Sequence, residues 1–153
     1  MSARWAGVHG DDARNNAKLM REMEDVADAG RTARFHSSVV LVYPDGMVLT
    51  GEGDCEGMIG REPRGENGFG YDPLFIPADC GVGKTDKRPN TENRSYAQLT
   101  PDEKDAISHR GNALAELEKQ LPSFLSAVTE EGVIAQAVSY THLRAHETDQ
   151  YLV

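Results

Sequence analysis

Residues 32–52 constrain the fold more than any other part of the sequence, because two strand-like runs are joined there by a tight turn. Residues 32–43 carry apolar side chains on both faces near their end, which predicts a central strand of a sheet. Pro44 presets the φ of the turn, and Gly46 accepts a positive φ. Residues 47–52 then return as the second strand of a hairpin. The chain is therefore predicted to contain a β-sheet built around this hairpin.

Helical signals lie on both sides of the hairpin. On the N-terminal side, Asp11 or Asp12 caps a predicted helix that continues to about residue 29 and stops at Gly30. On the C-terminal side, Thr100 and Glu103 form a capping box, which starts a helix with apolar residues at core spacing as far as residue 125. We therefore predict an α/β fold, a mixed twisted sheet with flanking helices.

The segments between these elements are rich in residues that break regular structure. Residues 56–77 are rich in glycine and lead into a short predicted strand at residues 73–76. Residues 79–94 are polar and predict an exposed, mobile loop. Pro122 is expected to kink or end the last helix because proline has no N–H to donate.

The charge and cysteine content restrict the partners of the chain. A net charge of −9, from 25 acidic and 16 basic residues, opposes binding to nucleic acid. A small anion can still bind where cations gather. The two cysteines, Cys55 and Cys80, are too few for a disulfide framework, which fits a cytoplasmic location. No apolar run reaches membrane-spanning length, so no membrane partner is predicted.

The first candidate for ligand chemistry is the run of glycine and aromatic residues at 67–73. Gly68 and Gly70 flank Phe69, and glycine permits a ligand to approach the backbone closely. The ring of Phe69 can lie against a base, and Asp72 can accept hydrogen bonds. Taken alone, however, the run is more typical of an ordinary glycine-rich turn that leads into a strand.

The second candidate is a set of hydrogen-bond donors early in the last helix, where Lys104 lies one turn before His109 and Arg110. A 6-keto purine presents acceptors at O6 and N7, which an arginine matches, whereas adenine presents an amino donor. Donors that face a donor reject the ligand strongly. Taken alone, these residues are more typical of a solvated helix face. Gly111 argues against that interpretation, because glycine in a helix interior costs about 1 kcal/mol.

Three weaker patterns offer alternatives. Residues 78–85 nearly fit a phosphate-binding P-loop, but the residues after Lys84 do not favour the helix that a P-loop requires. His142 and His146 have the spacing of zinc ligands on a helix, without an evident third ligand. Asp11 and Asp12 are adjacent carboxylates, and their position favours helix caps over a magnesium site.

Taken together, these segments resemble one family, the inosine/xanthosine triphosphate pyrophosphatases, over about residues 2–125. The most specific parts are the G-F-G-Y-D-P run at residues 68–73 and the S-H-R-G signature at residues 108–111. The remaining matches are the S-A-R-W-A-G loop at residues 2–7, Asn16, Lys18 and Leu19 of an N-x-K-L helix, Arg34 and Phe35, Gly57 and Ile59, and residues 94–100. All of them occur in the family's order.

The resemblance implies a function. Members of this family hydrolyse ITP, dITP and XTP to the monophosphate and pyrophosphate, use magnesium (Mg2+) and usually work as homodimers. The resemblance implies that the purine nucleoside triphosphate is bound by Phe69, Gly70, Tyr71, Asp72, Lys104, His109 and Arg110. Of these residues, His109 and Arg110 would read the base.

The sequence also departs from the family. The family's N-terminal part, which carries a phosphate loop, an acidic metal ligand and the general base, has no counterpart here, so we expect no catalytic or metal-binding residue. Residues 1–128 are interpreted as a partial domain, in which residues 79–94 form an inserted loop relative to the family. Residues 129–153 are interpreted as a tail, of which 138–153 are expected to be non-native. We expect a weakly active or inactive form, and the alternative is a non-catalytic purine-nucleotide-binding module.

Overall fold

The computed structural model of the chain describes residues 4–7, 9–44 and 46–130. The predicted tail from residue 131 onward, with His142 and His146, lies outside the described residues, so the predictions for it stay predictions. The helices are α1 (Asp12–Glu22), α2 (Pro101–Asp105) and α3 (His109–Glu130), with 3-10 turns at Asp28–Gly30 and Tyr96–Gln98. The strands are β1 (Thr32–Val42), β2 (Val48–Ile59), β3 (Phe75–Pro77), β4 (Asp79–Val82) and β5 (Asp86–Pro89).

The predicted hairpin is present as β1 and β2, and β3 extends it into a three-stranded sheet. All pairings between the described strands are antiparallel. Within these residues β2 is the central strand and β1 lies at the edge, so the prediction of a central position for residues 32–43 is wrong here. The apolar residues that suggested it, Val40 and Val42, lie on the exposed face of the sheet.

Helix α3 packs on the other face of the sheet, where two glycines of β2 leave room for it. A Cβ atom at Gly51 would lie 2.2 Å from the carbonyl oxygen of Ala113. A Cβ atom at Gly53 would lie 2.2 Å from the backbone nitrogen of Ala113 and 2.3 Å from the carbonyl oxygen of His109. Real Cβ atoms do not approach backbone atoms so closely, so β2 needs glycine at both positions for the helix to lie directly on the strand.

Helix α1 ends at Glu22, earlier than the predicted residue 29. Asp11 caps it, because its side chain accepts a hydrogen bond from the Arg14 backbone N–H at 3.0 Å. Arg31 ends it early: its buried guanidinium donates to the carbonyl groups of Met23 and Val26, and also to that of Gly60. Carbonyl groups that accept from Arg31 are satisfied without a further helical turn.

The C-terminal helical segment is two helices where the sequence predicted one. The capping box is confirmed at α2, but α2 ends at Asp105 and α3 begins at His109. Ser108 makes the break, because its hydroxyl accepts a hydrogen bond from the Gly111 N–H at 2.9 Å and so caps α3. Helix α3 continues past Pro122 to Glu130, so the alternative that Pro122 ends the helix is wrong.

The exposure predicted for residues 79–94 is confirmed for residues 82–89, but the segment contains a small sheet where the sequence predicted a loop. Strands β4 and β5 pair, and Cys80 and Asn90 are buried. The Asn90 amide donates to the carbonyl groups of Pro77 and Arg94 at 2.9 and 2.8 Å. Arg94 in turn pairs with Glu103 of α2 at 2.7 Å. The segment is therefore held to α2, while its status as an insertion stays a prediction.

Candidate functional site

A cavity of about 410 Å³ opens between the glycine-rich run and the junction of α2 with α3. Its walls combine aromatic side chains with several charged and hydrogen-bonding groups, which is the composition expected of a small-molecule site. It is lined by Gly68, Phe69, Asp72, Tyr96, Lys104, Asp105, Ser108, His109, Arg110, Gly111 and Leu114.

The fold brings the two sequence candidates together at this cavity. Five of the seven predicted ligand-binding residues line it, namely Phe69, Asp72, Lys104, His109 and Arg110. The other two do not: Tyr71 is buried among core side chains, and the backbone of Gly70 is hydrogen-bonded to α1. The break between α2 and α3 allows Lys104 and Arg110 to reach one cavity from two helices.

His109 is the most unusual group in the cavity wall. It is only 3% exposed, and its ring packs against Phe35 with 5.3 Å between the ring centroids. Neither ring nitrogen has a hydrogen-bond partner among the residues that the structure describes. Burial, assisted by the charge of Arg110, lowers the pKa of His109 to about 4. At neutral pH the ring is therefore uncharged and carries one donor and one acceptor.

Asp72 and Lys104 form the polar floor of the cavity. The Lys104 ammonium lies 3.2 Å from Asp72 Oδ2 and 4.9 Å from the centroid of the Tyr96 ring. Burial raises the pKa of Asp72, while Lys104 opposes that shift. The short contact with an ammonium group argues that Asp72 is ionised at neutral pH. A side chain at Gly68 would collide with this pair, since its Cβ would lie 2.0 Å from Asp72 Oδ2.

Phe69 and Arg110 form the mouth of the cavity. The Phe69 ring is 57% exposed, which is unusual for a large apolar side chain. The Arg110 guanidinium lies 5.8 Å from the centroid of that ring, within the range of a cation–π contact. A flat ligand placed here would meet an aromatic face on one side and cationic and imidazole hydrogen-bonding groups on the other.

Several residues that shape this site are not among the seven predicted binding residues, although Ser108 belongs to the S-H-R-G signature. Tyr96 and Ser108 line the cavity, and the first sits under the Lys104 ammonium. Asp12 and Asn16 of α1 bond the backbone of Gly70, although Asp12 had been interpreted as a helix cap. The signal available in the sequence was their separation of four residues, which places both side chains on one face of a helix.

The alternative sites receive little support from the structure. Lys84 lies in the turn between β4 and β5, and no helix begins there, so the P-loop interpretation is wrong. In the part of the chain that the structure describes, no three His, Cys, Asp or Glu side chains are grouped to hold a metal ion. The magnesium that the resemblance implies therefore stays a prediction.

Comparison with known proteins shows which family the chain belongs to. The chain matches the Ham1 family over residues 1–120, and it belongs to that family. It is 48% identical over 127 residues to a dITP/XTP pyrophosphatase of Corynebacterium glutamicum, covering 83% of this chain and 58% of the relative. It is 50% identical over 117 residues to a dITP/XTP pyrophosphatase of Nocardia farcinica, covering 76% of this chain and 51% of the relative.

Solved structures give the same result. The crystal structure of a nucleoside-triphosphatase, a dITP/XTP pyrophosphatase from Mycobacterium abscessus, is similar with a TM-score of 0.60 and 48% identity, covering 78% of this chain and 55% of that chain. The Staphylococcus aureus Ham1 protein is similar with a TM-score of 0.63 and 31% identity, covering 83% and 57%. The predicted α/β class is confirmed. This chain spans between about half and three fifths of the length of these relatives.

Proposed function

We propose that the cavity between the glycine-rich run and the α2–α3 junction binds the base of ITP, dITP or XTP. The observation that carries this proposal is His109, a buried residue of the cavity wall with both ring nitrogens unpaired among the described residues. Buried polar groups in folded proteins are nearly always hydrogen-bonded, so an unpaired one that lines a cavity calls for a ligand or a water molecule.

The proposed recognition follows from the chemistry of the cavity wall. Arg110 donates to O6 and N7 of a 6-keto purine, and neutral His109 supplies one further donor and one acceptor. The exposed ring of Phe69 stacks on the base. Adenine would present its amino group to Arg110, and two facing donors disfavour binding. Lys104 and Asp72 contact the nucleotide from the floor of the cavity, and Gly70 and Tyr71 complete the binding loop through its backbone.

We further propose that this base site serves hydrolysis of the triphosphate to the monophosphate and pyrophosphate, with Mg2+, as the names of the relatives suggest. The described residues offer no acidic cluster for a metal, so we expect the 153 residues alone to turn over slowly. The proposal includes a homodimer in the cytoplasm. Both described cysteines are unpaired, which suits a reducing compartment.

Base recognition is tested by titrating the chain with ITP and with ATP in a calorimeter. We expect ITP to bind more tightly than ATP and the variant Arg110→Ala to lose most of this preference, because the cationic donor is gone. Arg88→Ala, on the exposed strand β5, is the matched arginine control. Equal binding of ITP by the wild type and Arg110→Ala would contradict the proposal. A loss of ITP binding in Lys84→Ala but not in Arg110→Ala would instead favour binding at residues 78–85.

Hydrolysis is tested separately, by measuring pyrophosphate release from ITP with Mg2+. The chain is compared with a fusion in which the N-terminal segment of the Corynebacterium glutamicum relative precedes it. We expect release near background from the chain alone and clear release from the fusion. Rapid release by the chain alone would contradict the expectation of slow turnover. Binding without release by the fusion would favour a non-catalytic nucleotide-binding module.

A further inference from the structure

We propose that Asp12 and Asn16 of helix α1 are positioning residues that hold both peptide groups of Gly70 and so set Phe69 for stacking on the base. The inference rests on the proposed function, since it assigns the base to the cavity at Phe69. It concerns a helix outside the cavity wall, which acts on the ligand only through the backbone of the glycine-rich run.

The contacts form a two-point clamp, which is defined as the bonds from Asp12 and Asn16 to Gly70. Asp12 Oδ2 accepts from the Gly70 N–H at 2.8 Å. The Asn16 Nδ2 group donates to the Gly70 carbonyl oxygen at 3.0 Å. Asp12 and Asn16 are four residues apart and therefore lie on one face of α1. The clamp fixes two successive peptide planes, the one before Gly70 and the one after it.

The backbone conformation of Gly70 depends on contacts from outside the glycine-rich run. Its φ is +61°, in the left-handed region that glycine enters freely, so local sterics do not select one conformation. The following residues are anchored otherwise: Tyr71 is 4% exposed, and the Asp72 carbonyl accepts from the Ala97 N–H at 3.1 Å. Among the described residues, the peptide group that joins Phe69 to Gly70 has one further hydrogen bond, from the Asp72 N–H to the Phe69 carbonyl oxygen at 3.2 Å, so without the clamp it keeps one of its two bonds.

Phe69 depends on that peptide group for its position. Its ring is 57% exposed, so burial in the core does not hold it. Its backbone N–H lies 3.4 Å from Asp72 Oδ2, which is a long and weak hydrogen bond. The ring is therefore positioned by its cation–π contact with Arg110 and by the backbone on its C-terminal side, where the clamp acts.

The clamp is separable from the stability of α1 itself. The cap of α1 is Asp11, which accepts from the Arg14 N–H, whereas the bond to the Gly70 N–H comes from Asp12. Asn16 Nδ2 donates to the Gly70 carbonyl oxygen, whereas Oδ1 of the same amide is buried and has no hydrogen-bond partner among the described residues. An amide kept only for stability would be expected to satisfy both ends.

The experiment measures hydrogen exchange of the Gly70 amide without ligand and the affinity for ITP, in the full chain. In Asp12→Ala we expect Gly70 exchange to rise by about tenfold or more and the Kd for ITP to rise by about tenfold, the effect of one hydrogen bond to a charged group. Asp12→Asn, which keeps an acceptor oxygen, should restore most of both. Asn16→Ala supplies a second variant if Asp12→Ala does not fold.

The control is Asp11→Ala, which removes the helix cap and leaves the clamp in place. We expect it to lower the Tm without changing Gly70 exchange or ITP affinity. Unchanged Gly70 exchange in Asp12→Ala overturns the clamp. Equal loss of ITP affinity in Asp11→Ala and Asp12→Ala overturns the positioning role. If the wild type itself does not bind ITP while Asp12→Ala still accelerates Gly70 exchange, the proposed function fails and the clamp stands.

Discussion

At the scale of single residues, the site depends on a histidine held neutral by its surroundings. His109 is buried against Phe35, and a buried imidazole resists protonation because the charged form loses its hydration. The nearby guanidinium of Arg110 adds to this effect, while Asp54 opposes it. A neutral ring can both donate and accept, which an imidazolium cannot do. The pKa shift is therefore part of the proposed recognition of a keto purine.

The shifted pKa of His109 predicts a pH-dependent stability. The folded-state pKa of about 4 lies below the unfolded value of 6.5, so the unfolded chain binds the proton first. Stability from this residue is complete above pH 6.5 and falls, by about 3 kcal/mol in all, as the pH drops from 6.5 to 4. Urea unfolding at several pH values measures it. His109→Gln should flatten the decline in this range, and an equally steep decline in the variant would contradict the assignment.

At the scale of elements, two glycines of β2 decide where α3 lies. The position of a Cβ atom at Gly53 is already taken by backbone atoms of His109 and Ala113. Asn112 adds a hydrogen bond from its amide to the carbonyl of Asp54 at 2.7 Å. The first turn of α3 therefore rests directly on the strand. Since His109 and Arg110 belong to that turn, the geometry of the site follows from a small residue on the neighbouring strand.

Gly53→Ala tests this dependence. The added methyl group would force α3 away from β2, because the obstructing atoms belong to the backbone and cannot rotate aside. We expect a loss of about 2 kcal/mol or more in the free energy of unfolding, as in other overpacked cores. Glu52→Ala, exposed on the opposite face of the same strand, is the matched control and should change stability little. Chemical denaturation measures both, and equal stabilities would contradict the close packing described here.

At the scale of the whole molecule, acidic residues dominate the charge while cations gather at the cavity. The chain carries a net charge of −9, yet Lys104 and Arg110 both line the candidate site. A local positive potential can attract a small anion even when the overall charge is negative. Among the described residues, no helix has the length and apolar character needed to cross a membrane.

This charge distribution predicts discrimination between a nucleotide and a nucleic acid. Duplex DNA spans many phosphates and meets the overall negative surface, so we expect no binding to a duplex even at low salt. ITP should bind under the same conditions. Fluorescence anisotropy with a labelled duplex measures DNA binding, and calorimetry measures ITP binding. Salt-sensitive duplex binding with an affinity like that for ITP would contradict the predicted separation.

Local signals were sufficient for the sequence to determine several parts of this protein. The hairpin at residues 32–52, the capping box at Thr100 and the cap at Asp11 were all predicted, because each depends on residues within a few positions of one another. The two candidate runs were located for the same reason. Errors arose where groups outside an element intervened: Arg31 bonds the carbonyl groups of Met23 and Val26 and ends α1 early, and Arg94 ties the segment that contains β4 and β5 to α2.

Only the tertiary structure decided how these parts meet. Residues 68–72 and residues 104–110 are far apart in the chain, and the packing of α3 on β2 makes them walls of one cavity. The burial of His109 and the hold of α1 on Gly70 are likewise contacts between distant segments. A periodic pattern specifies which face of an element is buried but not which partner covers it. The sequence by itself therefore determined the elements and the candidate residues. The packing of α3 against the glycines of β2 decided how those residues meet in one site.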